Sequence, residues 1–297
     1  MNRNSKDEIS FHIMLAPGMI LLIMFSIMPM FGIVMAFQNY IPTRGILNSK
    51  WVGLDNILYL FQLTESVQAI KNTVIIAIAK ILASLFFPLL FALSLNAVRT
   101  QKIKKASQTI VYLPFFLSWV ILASTLQNIL DLHGPINQAL ANLGADKVQF
   151  LVSNKWFRPI LIITDTWKNL GYNTVIYLAA IVGIDPSLYE AAAVDGAGRW
   201  KRIWHVTLPG MKPTIVILFI MRLGHLLGSG FDRLYAFGNV NVRELQYQLS
   251  IYVFERGLEG GNFSRATAVG LFQALVAVML VIMADRFVKL LGEDGLL

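Results

Sequence analysis

There is no cysteine anywhere in the 297 residues, which removes disulfide and thiolate chemistry. Histidine is scarce as well. His12, His133, His205 and His225 are too scattered to place two imidazoles on one helix face, and no carboxylate cluster has metal-ligand spacing. Neither the G-x-x-x-x-G-K-[ST] loop that cradles phosphates nor the G-x-S-x-G elbow of acyl-transfer enzymes occurs. The chain therefore lacks the equipment of a metalloenzyme or a hydrolase, and any nucleotide hydrolysis it depends on falls to another polypeptide. No low-complexity tract or internal repeat of solenoid length is present.

Charge is the next scarcity, at 14% of residues, against 56% hydrophobic residues and a mean hydropathy of +0.61. Those values lie outside the range of soluble domains and describe an integral membrane protein. A helix needs roughly 20 apolar residues to cross a hydrocarbon core of about 30 Å. Six stretches come close, at about 13–37, 73–98, 108–130, 159–182, 213–231 and 266–288. The expected fold is all-α with six transmembrane helices, and residues 1–297 read as one transmembrane domain. The first run follows Arg3 and Lys6, but it is longer than the h-region of a signal peptide, so it reads as a retained span, kinked at Pro17 and Pro29.

Lys and Arg divide almost evenly between the two sides of such a bundle. Arg99, Lys102, Lys104 and Lys105 nevertheless crowd one short loop, and that density favours N-in and C-in. The net charge of +8 has the same origin, since no basic stripe interleaved with aromatics stands clear of the membrane boundaries to suit nucleic acid.

Between the fourth and fifth runs lies DPSLYEAAAVDGAGRWKRIWHVTLPG, residues 185–210. Asp185 followed by Pro186 is an N-cap and first-turn signature. It predicts a helix over Ser187 to Asp195, stopped by Gly196 in the left-handed region. A second short helix is expected from Arg199 to about Val206, with Trp200, Ile203 and Trp204 on one face. Pro209 is expected to turn Leu208 out of helical geometry, and Pro213 to begin the fifth span. On residue physics alone the loop is either an interfacial amphipathic element anchored by its tryptophans or a docking element for a cytoplasmic partner.

The spacing carries a resemblance. Glu190-Ala191-Ala192, then Gly196, then Val206-Thr207-Leu208-Pro209 resembles the EAA loop, E-A-A-x3-G-x9-I-x-L-P, of ABC importer permeases, with Val206 in place of Ile. Trp51-Val52-Gly53-Leu54, Tyr112-Leu113-Pro114, Ser118-Trp119 and Ile176-Tyr177-Leu178-Ala179-Ala180 are similar to carbohydrate-uptake permeases, nearest the polysaccharide and oligosaccharide group related to the larger maltose-type subunit. The resemblance implies a type I importer bundle with a cytoplasmic coupling helix in a bacterial inner membrane. It also implies a second permease chain, two ATPase subunits holding ATP and Mg, and an extracytoplasmic solute-binding protein. This chain itself would carry no cofactor and no catalysis. Glu190, Ala191, Ala192, Ala193, Gly196, Leu208 and Pro209 become the ATPase-coupling residues.

Polar groups inside spans are expensive and nominate a pathway. Asp165, Lys168, Asn169, Tyr172 and Asn173 recur at three to four residues and share one helix face, joined by Trp167 and Tyr177. The bland alternative for Asp165 and Lys168 is an i,i+3 ion pair that merely neutralises both. Alignment with maltose-type permeases implies solute contacts at Phe115, Trp119, Asp165, Lys168, Asn169 and Tyr172, with His225, Gly228 or Ser229 from span five. Lys80, Lys168 and Arg222 outnumber Asp165, an excess that favours an anionic, uronate-containing oligosaccharide, although Lys80 and Arg222 could simply snorkel or pair with a partner. The outer loop 232–265, with Asp232, Tyr247 and Tyr252-Val253-Phe254, is a candidate contact for the binding protein. The competing reading is an ion-gradient-driven secondary transporter, which would need matching helix breaks in two halves; none is seen.

Overall fold

The computed structural model describes residues 5–228, 230–290, 292 and 295–296. It is a helical protein with a single two-stranded ladder among the described residues. Its helices used below are α1 (Ser5–Leu22), α2 (Asp55–Gln62), α3 (Thr64–Ala97), α4 (Gln101–Tyr112), α5 (Trp119–Leu130), α6 (Pro135–Asn142), α7 (Phe157–Val182), α8 (Pro186–Val194), α9 (Arg199–Arg202), α10 (Leu208–Gly224), α11 (Phe231–Phe237) and α12 (Phe263–Leu290). Among the described residues, four helical segments are long and apolar enough to cross a membrane, and two bent pairs raise the number to six when each pair counts as one span. The all-α, multi-span architecture is therefore present, and the six expected spans are reached when each bent pair counts as one.

The chain divides into two compact units, one built from 1–67 with 252–273 and the other from 68–251 with 274–297. In the first, α1 continues through a π-type turn, Ile23–Ile27, placed just ahead of Pro29. A proline has no N–H to give and clashes with the carbonyl four residues earlier, so the wider turn absorbs the mismatch. The expected helix over 13–37 is thus interrupted, and it ends in a 3-10 segment, Phe31–Phe37. The antiparallel strands Gln38–Asn39 and Lys50–Trp51 follow, with Phe37 stacked on Trp51 at 5.6 Å. Asn56 on α2 donates to the carbonyls of Ala36 and Gln38 at 2.9 and 3.0 Å, fixing the turn over that helix.

The second unit holds the features that bear on function. The third span was expected as one helix over 108–130, but α4 with its 3-10 extension Leu113–Phe116 meets the α5–α6 segment at a bend of 104°. Pro114 cannot continue the α ladder, and Ser118 restarts it by accepting the Ile121 N–H at 3.2 Å. The fifth span differs too. Expected over 213–231, it instead runs continuously from Arg199 to Gly224, so the short helix expected from Arg199 to about Val206 forms but does not end there and continues into the span. Leu208 stays helical (φ −63°, ψ −44°) despite Pro209, because a π-type turn over Ile203–Thr207 has shifted its N–H onto the Ile203 carbonyl. Beyond Gly224 the chain turns, and Gly230 (φ +113°) admits α11.

Tyr177, Ile181, Ile184 and Met211 form a buried cluster with Ala92, joining α3, α7 and α10 beneath the 185–210 loop. Gly171 allows α4 and α7 to cross at backbone distance, since a Cβ there would lie 2.7 Å from the Val111 carbonyl oxygen.

Candidate functional site

Two clusters stand out, one at the loop and one within the bundle. In the loop, Asp185 Oδ1 accepts the Ser187 backbone N–H at 2.9 Å, which starts α8 and holds the Asp185 carboxyl below its usual value. At the other end the Ala197 N–H reaches the Ala192 carbonyl at 2.8 Å and the Gly196 N–H reaches Ala193, with Gly196 at φ +71°. That is a Schellman closure, and it needs the left-handed residue that glycine supplies. Tyr189 Oη lies 3.0 Å from Thr207 Oγ1, tying α8 to the helix that follows. Glu190, Ala191, Ala193, Gly196 and Pro209 are exposed, while Ala192 and Leu208 are half-buried. The loop is a braced protrusion that presents one carboxylate and a shallow alanine surface.

Within the bundle, Asp165 on α7 is the hub. It accepts from Arg233 on α11 and lies 3.3 Å from Lys80 on α3. Arg233 is 1% exposed, and its Nε and Nη2 have no hydrogen-bond partner. The alternative Asp165–Lys168 ion pair does not form. Lys168 Nζ instead donates to three backbone carbonyls, of Pro114 (3.2 Å), Phe115 (2.8 Å) and Leu117 (2.5 Å). All three ammonium protons are spent on the broken end of the 3-10 segment, a cation at a helix C-terminus where orphan carbonyls collect. Substituting Lys168→Gln should lower stability by about 1–3 kcal/mol by stranding those carbonyls. The thermal midpoint of the purified complex would register the loss; an unchanged midpoint would mean that the break holds without the ammonium.

Aromatic groups surround this break. Phe115 stacks on Tyr172 with centroids 4.7 Å apart and planes at 5°. Trp119 lies between two cations, with Lys168 Nζ at 5.5 Å and the Arg233 guanidinium at 5.8 Å from its ring. A cavity of about 580 Å³ opens beside it, lined by Trp119, Lys168, Gln127, Phe231, Asp232 and Tyr235. A smaller one of about 220 Å³ is lined by Lys80, Asp165, Asn169, Arg222 and His225. Arg222 Nη2 donates to Asn173 Oδ1 at 2.6 Å, linking α10 to α7.

A family model described as binding-protein-dependent transport system inner membrane component matches residues 84–293. The chain belongs to that family. Among individual proteins, this permease is 43% identical over 286 residues to the polygalacturonan/rhamnogalacturonan transport system permease protein YteP of Bacillus subtilis (strain 168), covering 96% of this chain and 89% of that one. It is 36% identical to protein LplB of the same organism, again over 96% of its length and 90% of the relative's. Its fold matches a solved bacterial alginate ABC transporter in complex with an alginate pentasaccharide-bound periplasmic protein, with a TM-score of 0.90, 38% identity and 98% of both chains covered. A second solved transporter, involved in the import of the acidic polysaccharide alginate, matches with a TM-score of 0.88 at 39% identity over 96% of both chains.

The fold of the permease distributes the solute-contact residues expected from sequence between the two cavities. Trp119 and Lys168 line the larger; Asp165, Asn169 and His225 line the smaller. Phe115 and Tyr172 are engaged with each other and line neither, Gly228 lies outside both linings, and Ser229 lies outside the described residues. Sequence reasoning missed Arg233 and the aromatic wall of α11, having left Phe231 at the end of the fifth span and Arg233 and Tyr235 in the loop beyond it without a role. The signal was there in FDRLYAF, where Phe231 and Tyr235 at i, i+4 form one face and stack at 5.3 Å.

Proposed function

We propose that this permease carries acidic oligosaccharides across the membrane as one half of the pathway of an ATP-driven importer. The chain is a non-catalytic ABC permease of the carbohydrate-uptake type, so the open question is which sugars it takes and how it couples. The observation that carries the acidic reading is the imbalance of charge at the two cavities. Lys168, Lys80 and Arg222 line them and Arg233 is buried against Asp165, four cations to the two carboxylates Asp165 and Asp232, of which Asp165 pairs with Lys80 and Arg233. A neutral sugar needs no such surplus, whereas carboxylated sugar units would be attracted to it. Trp119, Phe231 and Tyr235 supply flat apolar surface for pyranose faces, and Gln127 and Asn169 offer hydrogen bonds to hydroxyls. The relatives point the same way, since one is a polygalacturonan/rhamnogalacturonan permease and the matching structures belong to alginate transporters.

In this reading the pathway is completed by a second permease chain, and a solute-binding protein delivers the sugar to the outer face, with loop 232–265 as its contact. The N- and C-termini lie in the cytoplasm of a bacterial host. Two ATPase subunits seat on the 185–210 loop, where Glu190 meets a basic group and Ala191, Ala192 and Ala193 make the close contact. Gly196 closes the turn, and Leu208 and Pro209 pass the movement into α10. Phe115, Trp119, Asp165, Lys168, Asn169, Tyr172, His225, Gly228 and Ser229 remain the solute-facing set, with Lys168 and Phe115 acting chiefly by shaping the break.

Competition uptake in cells expressing the whole transporter tests the substrate class. Unsaturated galacturonate or mannuronate oligosaccharides should displace labelled acidic substrate, and neutral oligosaccharides of equal length should not; equal displacement by neutral sugars would sink the acidic reading. Coupling is tested separately with Glu190→Ala, which should release the ATPase on copurification while leaving solute binding by the periplasmic partner intact. Full ATPase retention and full solute-stimulated hydrolysis in that variant would remove the role assigned to the loop.

A further inference from the structure

A third cavity, of about 290 Å³, lies away from the solute path between the C-terminal end of α3 and the two helices of the 185–210 loop. Three arginines line it, the exposed Arg99 and Arg199 and the half-buried Arg202. Among the described residues no carboxylate is paired with any of them, and Arg202 Nε is buried with no hydrogen-bond partner. The Tyr189 and Thr207 hydroxyls, bonded to each other, also face the cavity. Such a concentration of unpaired donors is a site for an oxyanion, because Arg forks match phosphate oxygens and cationic groups left together repel one another.

The rest of the lining narrows the class of oxyanion. Leu93, Ala97 and Ile203 give the cavity an aliphatic side, continuous with the lipid-length helix α3 that ends at Ala97. Immediately beyond, Trp200 and Trp204 stand 74% and 64% exposed at i, i+4 on one face. Exposed tryptophans beside arginines at the end of an apolar helix mark the headgroup level of a bilayer. A free inorganic anion has no use for an aliphatic wall, whereas a phospholipid has both a phosphate for the arginines and glycerol and acyl carbons for the apolar side. We propose that this cavity binds the phosphodiester headgroup of an anionic phospholipid, next to the loop on which the ATPase is expected to seat. Occupancy would brace α8 against α3 and make the stability of the loop depend on lipid composition, whatever solute the transporter carries.

The test uses the complete transporter in nanodiscs of phosphatidylcholine with a minority of phosphatidylglycerol of matched acyl chains, followed by release into native mass spectrometry. The wild-type complex should retain phosphatidylglycerol in preference to phosphatidylcholine. The Arg99→Gln/Arg202→Gln variant should lose that preference by roughly thirtyfold, as expected from roughly 1 kcal/mol for each of the two basic residues at an anionic surface. A Lys102→Gln/Lys104→Gln variant removes equal charge from the same boundary outside the cavity and should retain the lipid. Equal retention of both lipids by the wild-type complex overturns the proposal without needing any variant. So does loss of phosphatidylglycerol caused equally by the Lys102/Lys104 substitutions, which would reduce the effect to general surface charge. Displacement of the lipid by millimolar inorganic phosphate would assign the cavity to a soluble oxyanion and overturn the lipid assignment. Loss of the ATPase from the Arg99/Arg202 variant with lipid retention unchanged would make the arginines docking groups, with the same consequence.

Discussion

Asp165→Asn should lower the stability of the assembled transporter by about 3–5 kcal/mol, the penalty for removing one partner of a buried ionic group. Lys80 and Arg233 both rely on that carboxylate, and Arg233 is almost wholly enclosed, with two of its nitrogens already lacking partners. Neutralising Asp165 leaves two cations facing each other in a site that water does not reach freely, so their repulsion adds to the desolvation of each. The expected readout is a large fall in thermal midpoint in detergent and loss of uptake. A combined Lys80→Met/Asp165→Leu/Arg233→Met variant should recover most of the stability, since well-packed apolar replacements of a buried ionic cluster are often neutral or better. It should not recover uptake of acidic oligosaccharide, because the cationic surplus is gone. Wild-type stability in Asp165→Asn would show that Asp165 is not the group that balances the two cations.

Gly171→Val should be nearly as damaging for a different reason. A Cβ at 171 would run into the Tyr112 ring and sit 2.7 Å from the Val111 carbonyl oxygen and 2.9 Å from Tyr112 Cα. Two of those neighbours are backbone, so α4 and α7 must separate instead of a side chain swinging aside. Overpacking of this kind costs about 3 kcal/mol, and small residues are what allow membrane helices to approach so closely. The displacement would also move Tyr172 off Phe115 and Lys168 off its three carbonyls, because these residues flank Gly171 on the same helix. Uptake should therefore fall along with the thermal midpoint, and Gly171→Ala should show a smaller loss of both. A stable, fully active Gly171→Val protein would mean that the two helices are not held at this distance in the working transporter.

The loop was the most legible part. Asp185, Pro186 and Gly196 act on backbone within a few residues of themselves, and the cap, first turn and left-handed closure all form where the sequence placed them. Pro209 was misleading, because the restriction a proline imposes on its predecessor was weighed without the relief that a wider turn can supply. Here that relief comes from the Leu208 N–H reaching Ile203, and the loop helix flows into the span. The same oversight placed the fifth span too far along the chain.

Side-chain pairing was less accessible than helix placement. Asp165 and Lys168 are close in sequence and on one helix face, which made an ion pair the local alternative to a solute-facing role. Their actual partners lie far off in the chain, Arg233 by 68 positions and the carbonyls of 114–117 by more than 50. By itself the sequence determined the membrane class, the all-α multi-span architecture and the form of the 185–210 loop, because these depend on composition, run length and local backbone chemistry. Only the tertiary structure decided which cation meets Asp165, that Lys168 seals a broken helix, and that three arginines share one cavity. Those outcomes depend on the distances between helices remote in sequence, and a buried charge takes whichever partner packing brings within reach.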